Sequence, residues 1–582
     1  MSIKKPLTLL LGATLLVSLM AACSPSVPEE PEEEAESSAP QPIEETFELP
    51  VCVSSEPTSI DPTLFSTDSE AVYIQHFFEG LLKWTDDGKG GATLSDGQAS
   101  IEAKTVNDDG TVTYTFKIRE GAKWSDGTPI TAGDFVYSWR RLANPETNAP
   151  YSDIISMVCG YDEVREGSPT GEIELIADDA ADENTENEMP QYDPNLLQVS
   201  APDLATFVVN IKNDCPYFEE ICAFPATYPV RKDIIEAVGE QWTYNTGTYI
   251  GNGPYVMSEW EHDSVIECVQ NDNYYDSEKL GPDVISFKLT NDAAAEFSAF
   301  SRGELGFINK IPADEAEALL SSGILKTAPG AETQFLCFNN ALAPFNDARV
   351  REAFSLSINR SYICGSIINT DATPTSALVP FGISDADGAD FRELSGEYFS
   401  VLEEDYAANC EKARQLLDEA GYPGGEGFPE VKYSFYDEDG QKLGEALAKM
   451  WSAELGVTVT FSKLDKAALD VSLDNGSYQL ACSARKASYS DPAAFLNAWQ
   501  TGNAGRYSSA DFDAYINAAK AAADPRERMQ SLQAAELLLL GQDYAIAPLC
   551  FSSKSYLLAD GINGLYSSPL GLFSFAYCTE NR

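Results

Sequence analysis

Hydrophobic positions change their period repeatedly along this chain, and the changes mark its elements. Val112, Tyr114, Phe116 and Ile118 alternate with polar residues, which predicts a half-buried strand. The Asn107-Asp108-Asp109-Gly110 run before it predicts a turn, since the later ligand positions of a calcium loop are missing. Thr131 and Asp134 have the spacing of a capping box, and Phe135, Trp139 and Leu142 follow at helical intervals. Asp347 is placed to cap a helix carrying Val350, Phe354 and Ile358 on one stripe. Ala413, Leu416, Leu417 and Ala420 form another stripe, stopped by Gly421. Leu443, Leu447, Met450, Trp451 and Leu455 form a third, stopped by Gly456, and Val457, Val459 and Phe461 then alternate as a strand. Helices and strands in succession predict α/β layers. Such stripes are core far more often than ligand contacts.

The first 45 residues break this pattern. Lys4 and Lys5 precede a mostly apolar stretch from Leu7 to Met20, too short to span a bilayer as a helix. Residues 1–22 therefore read as a secretory signal peptide. The succession Leu19-Met20-Ala21-Ala22-Cys23 resembles a bacterial lipobox, with Met20 where leucine is usual, and implies lipidation at Cys23. The plainer alternative is an ordinary cleavage site beside a chance cysteine. Residues 23–45 are rich in Pro, Glu, Ser and Ala and cannot bury enough surface to offset chain entropy, so they read as an acidic tether. A second acidic stretch, 170–194, reads as a surface loop.

The chain has 582 residues, which suits two or three lobes rather than one core. Its formal net charge is −54, which repels nucleic acid and anionic headgroups, so no nucleic-acid partner is expected. Membrane attachment is expected through lipid only. Only His76 and His262 are present, and HExxH, GxxxxGK[ST] and GxSxG are all missing. No catalytic residue, no metal site and no cofactor is therefore expected, and the chain does not read as an enzyme. The 12 cysteines include no CxxC pair; several lie in apolar runs, as Cys52 and Cys337 do, and read as buried free thiols, with disulfides left open.

A series of motifs then carries a family resemblance. Glu56-Pro57-Thr58-Ser59-Ile60-Asp61-Pro62 and Phe78-Glu79-Gly80-Leu81-Leu82 open it. Lys123-Trp124-Ser125-Asp126-Gly127, Thr131 to Trp139, and Gly251-Asn252-Gly253-Pro254-Tyr255 continue it. Phe345-Asn346-Asp347-Ala348-Arg349-Val350-Arg351, Ala420-Gly421-Tyr422-Pro423, Tyr489-Ser490-Asp491-Pro492 and Phe495-Leu496 close it. Taken together and in order, they resemble the family 5 solute-binding proteins, the oligopeptide- and dipeptide-binding lipoproteins of ATP-binding-cassette (ABC) importers. The resemblance implies a two-lobed, hinged, periplasmic-binding-protein-like α/β fold with an extra subdomain in the first lobe. Residues 46–75, 200–285 and 555–582 would form lobe one, 76–199 the appended subdomain and 286–554 lobe two. It also implies an extracytoplasmic monomer, lipid-anchored to the cell membrane, that captures a peptide or peptide-like solute and hands it to ABC permease subunits. A receptor for an oligosaccharide or an anionic metabolite, or a ligand sensor, remains the alternative.

By position in the family, Ser66, Thr67 and Asp68 would meet the ligand from lobe one, and the segment before Tyr489 from lobe two. Asn339 and Asn340 are candidates to line the cleft near that segment. Peptide receptors of the family usually carry an aspartate just before the tyrosine matching Tyr489, where it pairs the peptide's α-ammonium. Here that position is Ser488, preceded by Arg485 and Lys486. A buried ammonium without a counter-charge is strongly disfavoured. Either Asp68 or Asp491 supplies the missing charge, or the ligand lacks a free amino terminus, in which case Arg485 and Lys486 are placed to pair a carboxylate.

Overall fold

The computed structural model describes residues 46–88, 91–167, 192–368, 372–383, 385–386, 389–522 and 524–581. The expected signal peptide, Cys23, the tether and nearly all of the second acidic stretch lie outside them. The described residues belong to one compact unit, 46–582.

Its spine is a sheet of eleven strands among the described residues. The order is Val459–Lys463, Val431–Phe435, Leu480–Lys486, Lys326–Phe338, Ile546–Leu558, Phe307–Ile308, Glu48–Cys52, Val284–Lys288, Val265–Gln270 and Tyr255–Glu261, with Thr373–Pro374 paired off this path to Ile546–Leu558. Two antiparallel strands of 13 residues, Lys326–Phe338 and Ile546–Leu558, carry the sheet from one half of the molecule into the other. In the C-terminal half Phe338, Phe354, Tyr433, Leu447 and Trp451 build one core. The indole N–H of Trp451 donates to Phe354 O at 2.9 Å, fixing the helix Glu438–Leu455 against the helix Ala348–Leu356. In the other half the helix Asp68–Phe77 buries Tyr73, His76 and Phe77 with Phe287 and Phe575.

The expected caps form. The Thr131 and Asp134 side chains bond reciprocally at the start of the helix Ala132–Ala143. Asp347 accepts from Arg349 N, and Gly456 ends the helix Glu438–Leu455 at φ +68°. The strand Val112–Ile118 is buried on alternate residues as predicted. Two expected boundaries move. The division at 75/76 falls inside the helix Asp68–Phe77. The four-stranded sheet of the appended subdomain includes Thr206–Ile211, paired to Val112–Ile118, so that sheet runs past residue 199. The cause is the same in both places: a continuous hydrogen-bonded element crosses a boundary that the resemblance implied. The described cysteines are free thiols, and all but Cys159 and Cys482 are buried. Among the described residues no helix is long and apolar enough to cross a membrane.

Where the two long strands change halves, their register lapses between Pro329 and Glu332. Ala331 takes φ +47° there, and its carbonyl accepts the Ala487 N–H at 2.9 Å. A Cβ added at Gly330 would lie 2.4 Å from the Ser552 carbonyl oxygen, closer than real contacts allow. Gly330→Ala is expected to cost about 1–3 kcal/mol through this overlap. A melting temperature unchanged from the parent would show that the strand pair gives way freely.

Candidate functional site

The site lies where the two halves face each other. Its first wall is the loop before the helix Asp68–Phe77. Glu70 organises this loop by accepting four main-chain N–H groups, those of Thr58 and Ser59 on one oxygen and of Ser66 and Thr67 on the other, at 2.8–3.0 Å. The Thr67 hydroxyl caps the helix by accepting from Glu70 N. Asp61 takes a two-pronged bond from Arg141, at 2.9 and 2.7 Å, and a third from the Trp242 indole. These contacts spend the Ser66 and Thr67 N–H groups inside the protein and leave Asp68 facing across the gap.

The second wall is the end of the strand Leu480–Lys486 and the residues after it. The Asp68 carboxylate accepts Lys486 on one oxygen and Lys554, from the long strand Ile546–Leu558, on the other at 2.5 Å. Lys554 also donates to Gly571 O at 2.9 Å. Asp491 holds Arg528 through two bonds of 2.7 and 2.8 Å, both side chains nearly sealed from solvent. Tyr489 stacks on Tyr217 of the opposite half with centroids 3.9 Å apart and planes 11° from parallel. The Ser490 N–H donates to the Glu220 carboxylate across the gap at 2.8 Å. Arg485 donates through Nε to Ala494 O at 2.8 Å.

Three cavities follow this seam. One of about 430 Å³ is lined by Lys212, Tyr217, Arg485, Ser488, Tyr489 and Lys520 among others. One of about 70 Å³ lies between Phe65, Asp68, Tyr151, Phe224, Lys486 and Ser488. One of about 320 Å³ lies on the other side of Asp68, against Val72, Asn309, Lys310, Lys554 and Phe573.

Of the ten ligand candidates, eight gather at this seam: Ser66, Thr67, Asp68, Arg485, Lys486, Ser488, Tyr489 and Asp491. Asn339 and Asn340 do not join them. The Asn339 amide donates to Gly476 O and Tyr478 O, and that of Asn340 to Phe338 O, Gly505 O and Ala545 O. Their amide donors tie main-chain loops together, so the structure gives them a packing role where a cleft contact was expected. Asp491 and Asp68, the two acids considered as substitutes at the position of Ser488, are both engaged by cations of the protein itself. Sequence reading missed Lys554, Arg528, Glu220 and Tyr217. No local pattern marks these; Lys554 stands 486 residues from Asp68.

Burial pushes the Glu220 carboxyl up from 4.5 to about 8, against the pull of the Ser490 N–H and with the Asp491 charge adding to the rise. Opening the seam returns this carboxyl to water and toward its ordinary value. A closed form that keeps the proton is favoured at low pH, and its advantage falls as pH rises from about 4.5 to about 8. The ligand-free protein is therefore expected to be more compact at pH 5 than at pH 7 by small-angle scattering, and Glu220→Gln should flatten the difference. Identical scattering of the parent at both values would contradict this.

Comparison with known proteins places this seam in context. The profile of the bacterial extracellular solute-binding proteins, family 5 Middle, matches residues 98–507. The chain is 30% identical over 518 residues to the periplasmic oligopeptide-binding protein OppA of Salmonella typhimurium, covering 88% of each chain. It is 27% identical over 537 residues to the dipeptide-binding protein DppE of Bacillus subtilis, covering 90% of each. Its fold matches the crystal structure of Haemophilus influenzae OppA in complex with RPPGFSPFR at a TM-score of 0.71 and 25% identity, covering 92% of this chain and 99% of that one.

Proposed function

The chain belongs to the bacterial extracellular solute-binding proteins of family 5, and on that premise we propose that it captures a peptide or peptide-like ligand without a free α-amine between its two lobes and delivers it to an ABC permease. What supports the peptide class is its likeness to proteins named for oligopeptide and dipeptide binding and to a structure holding a nonapeptide. The observation that carries the rest is the engagement of both candidate acids. Asp491 is neutralised by Arg528 and Asp68 by two lysines, beside a serine that has no charge to offer.

An extended peptide laid along the strand end at residues 485–488 gains main-chain hydrogen bonds there as an added strand. The stacked Tyr217 and Tyr489 and the Glu220–Ser490 bond hold the lobes together around it. Closure about the paired strands Lys326–Phe338 and Ile546–Leu558 is a hinge motion. The role is capture and release, with no bond made or broken in the ligand. Titration calorimetry with mixed oligopeptides, acetylated and untreated, tests the function. Saturable heat with peptides and none with neutral oligosaccharides is expected; the reverse would reassign the ligand class.

The same reading includes export and lipidation at Cys23, supported by the basic, apolar and small-residue succession that ends there. Cys23→Ser is expected to release the protein from the membrane fraction of producing cells. A variant that stays membrane-bound and acylated like the parent would refute the anchor.

A further inference from the structure

We propose that Lys486 and Lys554 form a seat for a carboxylate of the ligand, and that Asp68, paired with both lysines, occupies this seat as a tethered stand-in. The inference rests on the reading of the seam as the ligand cleft and names one chemical group the ligand must carry.

The geometry is that of one carboxylate shared by two ammonium groups. Each oxygen of Asp68 holds a different lysine. The acid and the lysines come from different parts of the fold. Asp68 is the first residue of the helix Asp68–Phe77 in lobe one. Lys486 ends a strand of lobe two, and Lys554 lies on one of the two long strands that join the lobes. Those two strands are held to each other through Lys326–Phe338, which pairs with both: Glu332 stands opposite Lys486 on one side and Ser552 on the other. When the lobes part, Asp68 leaves with its helix, while the two lysines stay on one connected sheet without its carboxylate.

The surroundings fit a seat that is emptied and refilled. Asp68 lines both the 70 Å³ cavity, with Lys486, and the 320 Å³ cavity, with Lys554. A main chain running along the seam must pass between these two voids, at the place where the Asp68 carboxylate now lies. The smaller void is far below the several hundred Å³ usual for a ligand pocket, so the ligand must take over space that the ion pair holds. The other acid of the cluster, Glu332, also acts on Lys554 through its charge, but burial holds its carboxyl above its usual range and its side chain accepts the Ser552 hydroxyl at 3.4 Å. Lys310 faces the larger void and is engaged by Asn291, which adds positive potential to the far side. Burial pushes Lys554 down to about 8 against the pull of the Glu332 charge, and burial with the neighbouring Lys554 charge pushes Lys486 down to about 7. Two lysines pressed this way favour any anion that enters.

The test uses the purified, folded chain and two pools of N-acetylated, C-amidated tripeptides that differ only by glutamate in one and glutamine in the other. Calorimetry is expected to give at least about tenfold tighter binding of the glutamate pool. Lys554→Met should erase that preference, so that the two pools bind this variant with equal affinity. Asp68→Asn, which removes the tethered competitor's charge, should tighten the glutamate pool severalfold. If both pools bind the parent equally, the seat is refuted while the peptide reading stands. If neither binds, both fall together. Should Lys554→Met fail to fold, the comparison of the two pools on the parent decides alone.

Discussion

A peptide with a free α-amine is expected to bind this protein about tenfold to a hundredfold more weakly than the same peptide N-acetylated. A charge-assisted hydrogen bond contributes roughly 1.5–3 kcal/mol, and its loss converts to that range of affinity. The physical cause is a missing counter-charge. Ser488 is neutral, and the carboxylates of Asp491 and Asp68 are each taken by cations of the protein. An α-ammonium brought beside Ser488 also meets Arg485, which lines the same cavity. Acetylation removes the charge that has to be desolvated. Ser488→Asp should reverse the order by restoring a carboxylate at the mouth of both the 430 Å³ and the 70 Å³ cavities, each of which Ser488 lines. Calorimetry of one peptide in both forms against both proteins decides the matter. A parent that prefers the free amine would mean that the ligand ammonium pairs with Asp68 once that carboxylate has left its two lysines, or displaces Arg528 from Asp491.

Asp491→Asn is expected to destabilise the protein by about 3–5 kcal/mol, because it leaves the Arg528 guanidinium buried without its partner. Asp491 and Arg528 have side chains only 5% and 9% exposed. The Asp491 carboxylate also accepts the Ala493 N–H at 2.8 Å, which turns the chain into the helix Ala493–Leu496. Arg528 reaches over the Tyr217 ring, 5.8 Å from its centroid, so the pair supports the Tyr217–Tyr489 stack from behind. Two consequences separate this pair from a surface one. Salt should barely screen it. The double replacement Asp491→Leu with Arg528→Met should recover most of the stability, since apolar groups of similar volume replace buried ion pairs at little cost. Denaturant unfolding of the three variants measures both. A single variant as stable as the parent would show that Arg528 finds water or another acceptor.

Much of the frame was readable from sequence because it depends on short-range pattern. Thr131 and Asp134 stand three residues apart, and their reciprocal bonds need nothing from elsewhere in the chain. The alternation from Val112 to Ile118 and the stripe from Leu443 to Leu455 each report one buried face. Thr67 and Glu70 form the same capping box and carry the same short-range signal. The long strand Lys326–Phe338 was less visible. Pro329 and Gly330 interrupt its alternation at the place where the register lapses.

The site was legible only in part. Its walls follow from motif order, which places Asp68, Arg485, Ser488 and Tyr489 along one seam. Their partners do not follow from it, since charge pairing across a seam is set by tertiary placement. Nothing near Asp491 in sequence announces Arg528, and nothing near Asp68 announces Lys554. Asn339 and Asn340 misled for a related reason. An amide at a strand end serves a ligand or a loop equally well in sequence, and only the positions of Gly476 O, Tyr478 O, Gly505 O and Ala545 O show that the loops claim it.

Native mass spectrometry of the protein as purified from its own host, with its carried-over ligand, tests the central claim most directly. The released ligand should be peptide or peptide-like, should carry an acidic group, and should resist amine-reactive labelling at an α-amine. A ligand that labels at a free α-amine, or one that contains no amide-linked amino acid, would contradict the account.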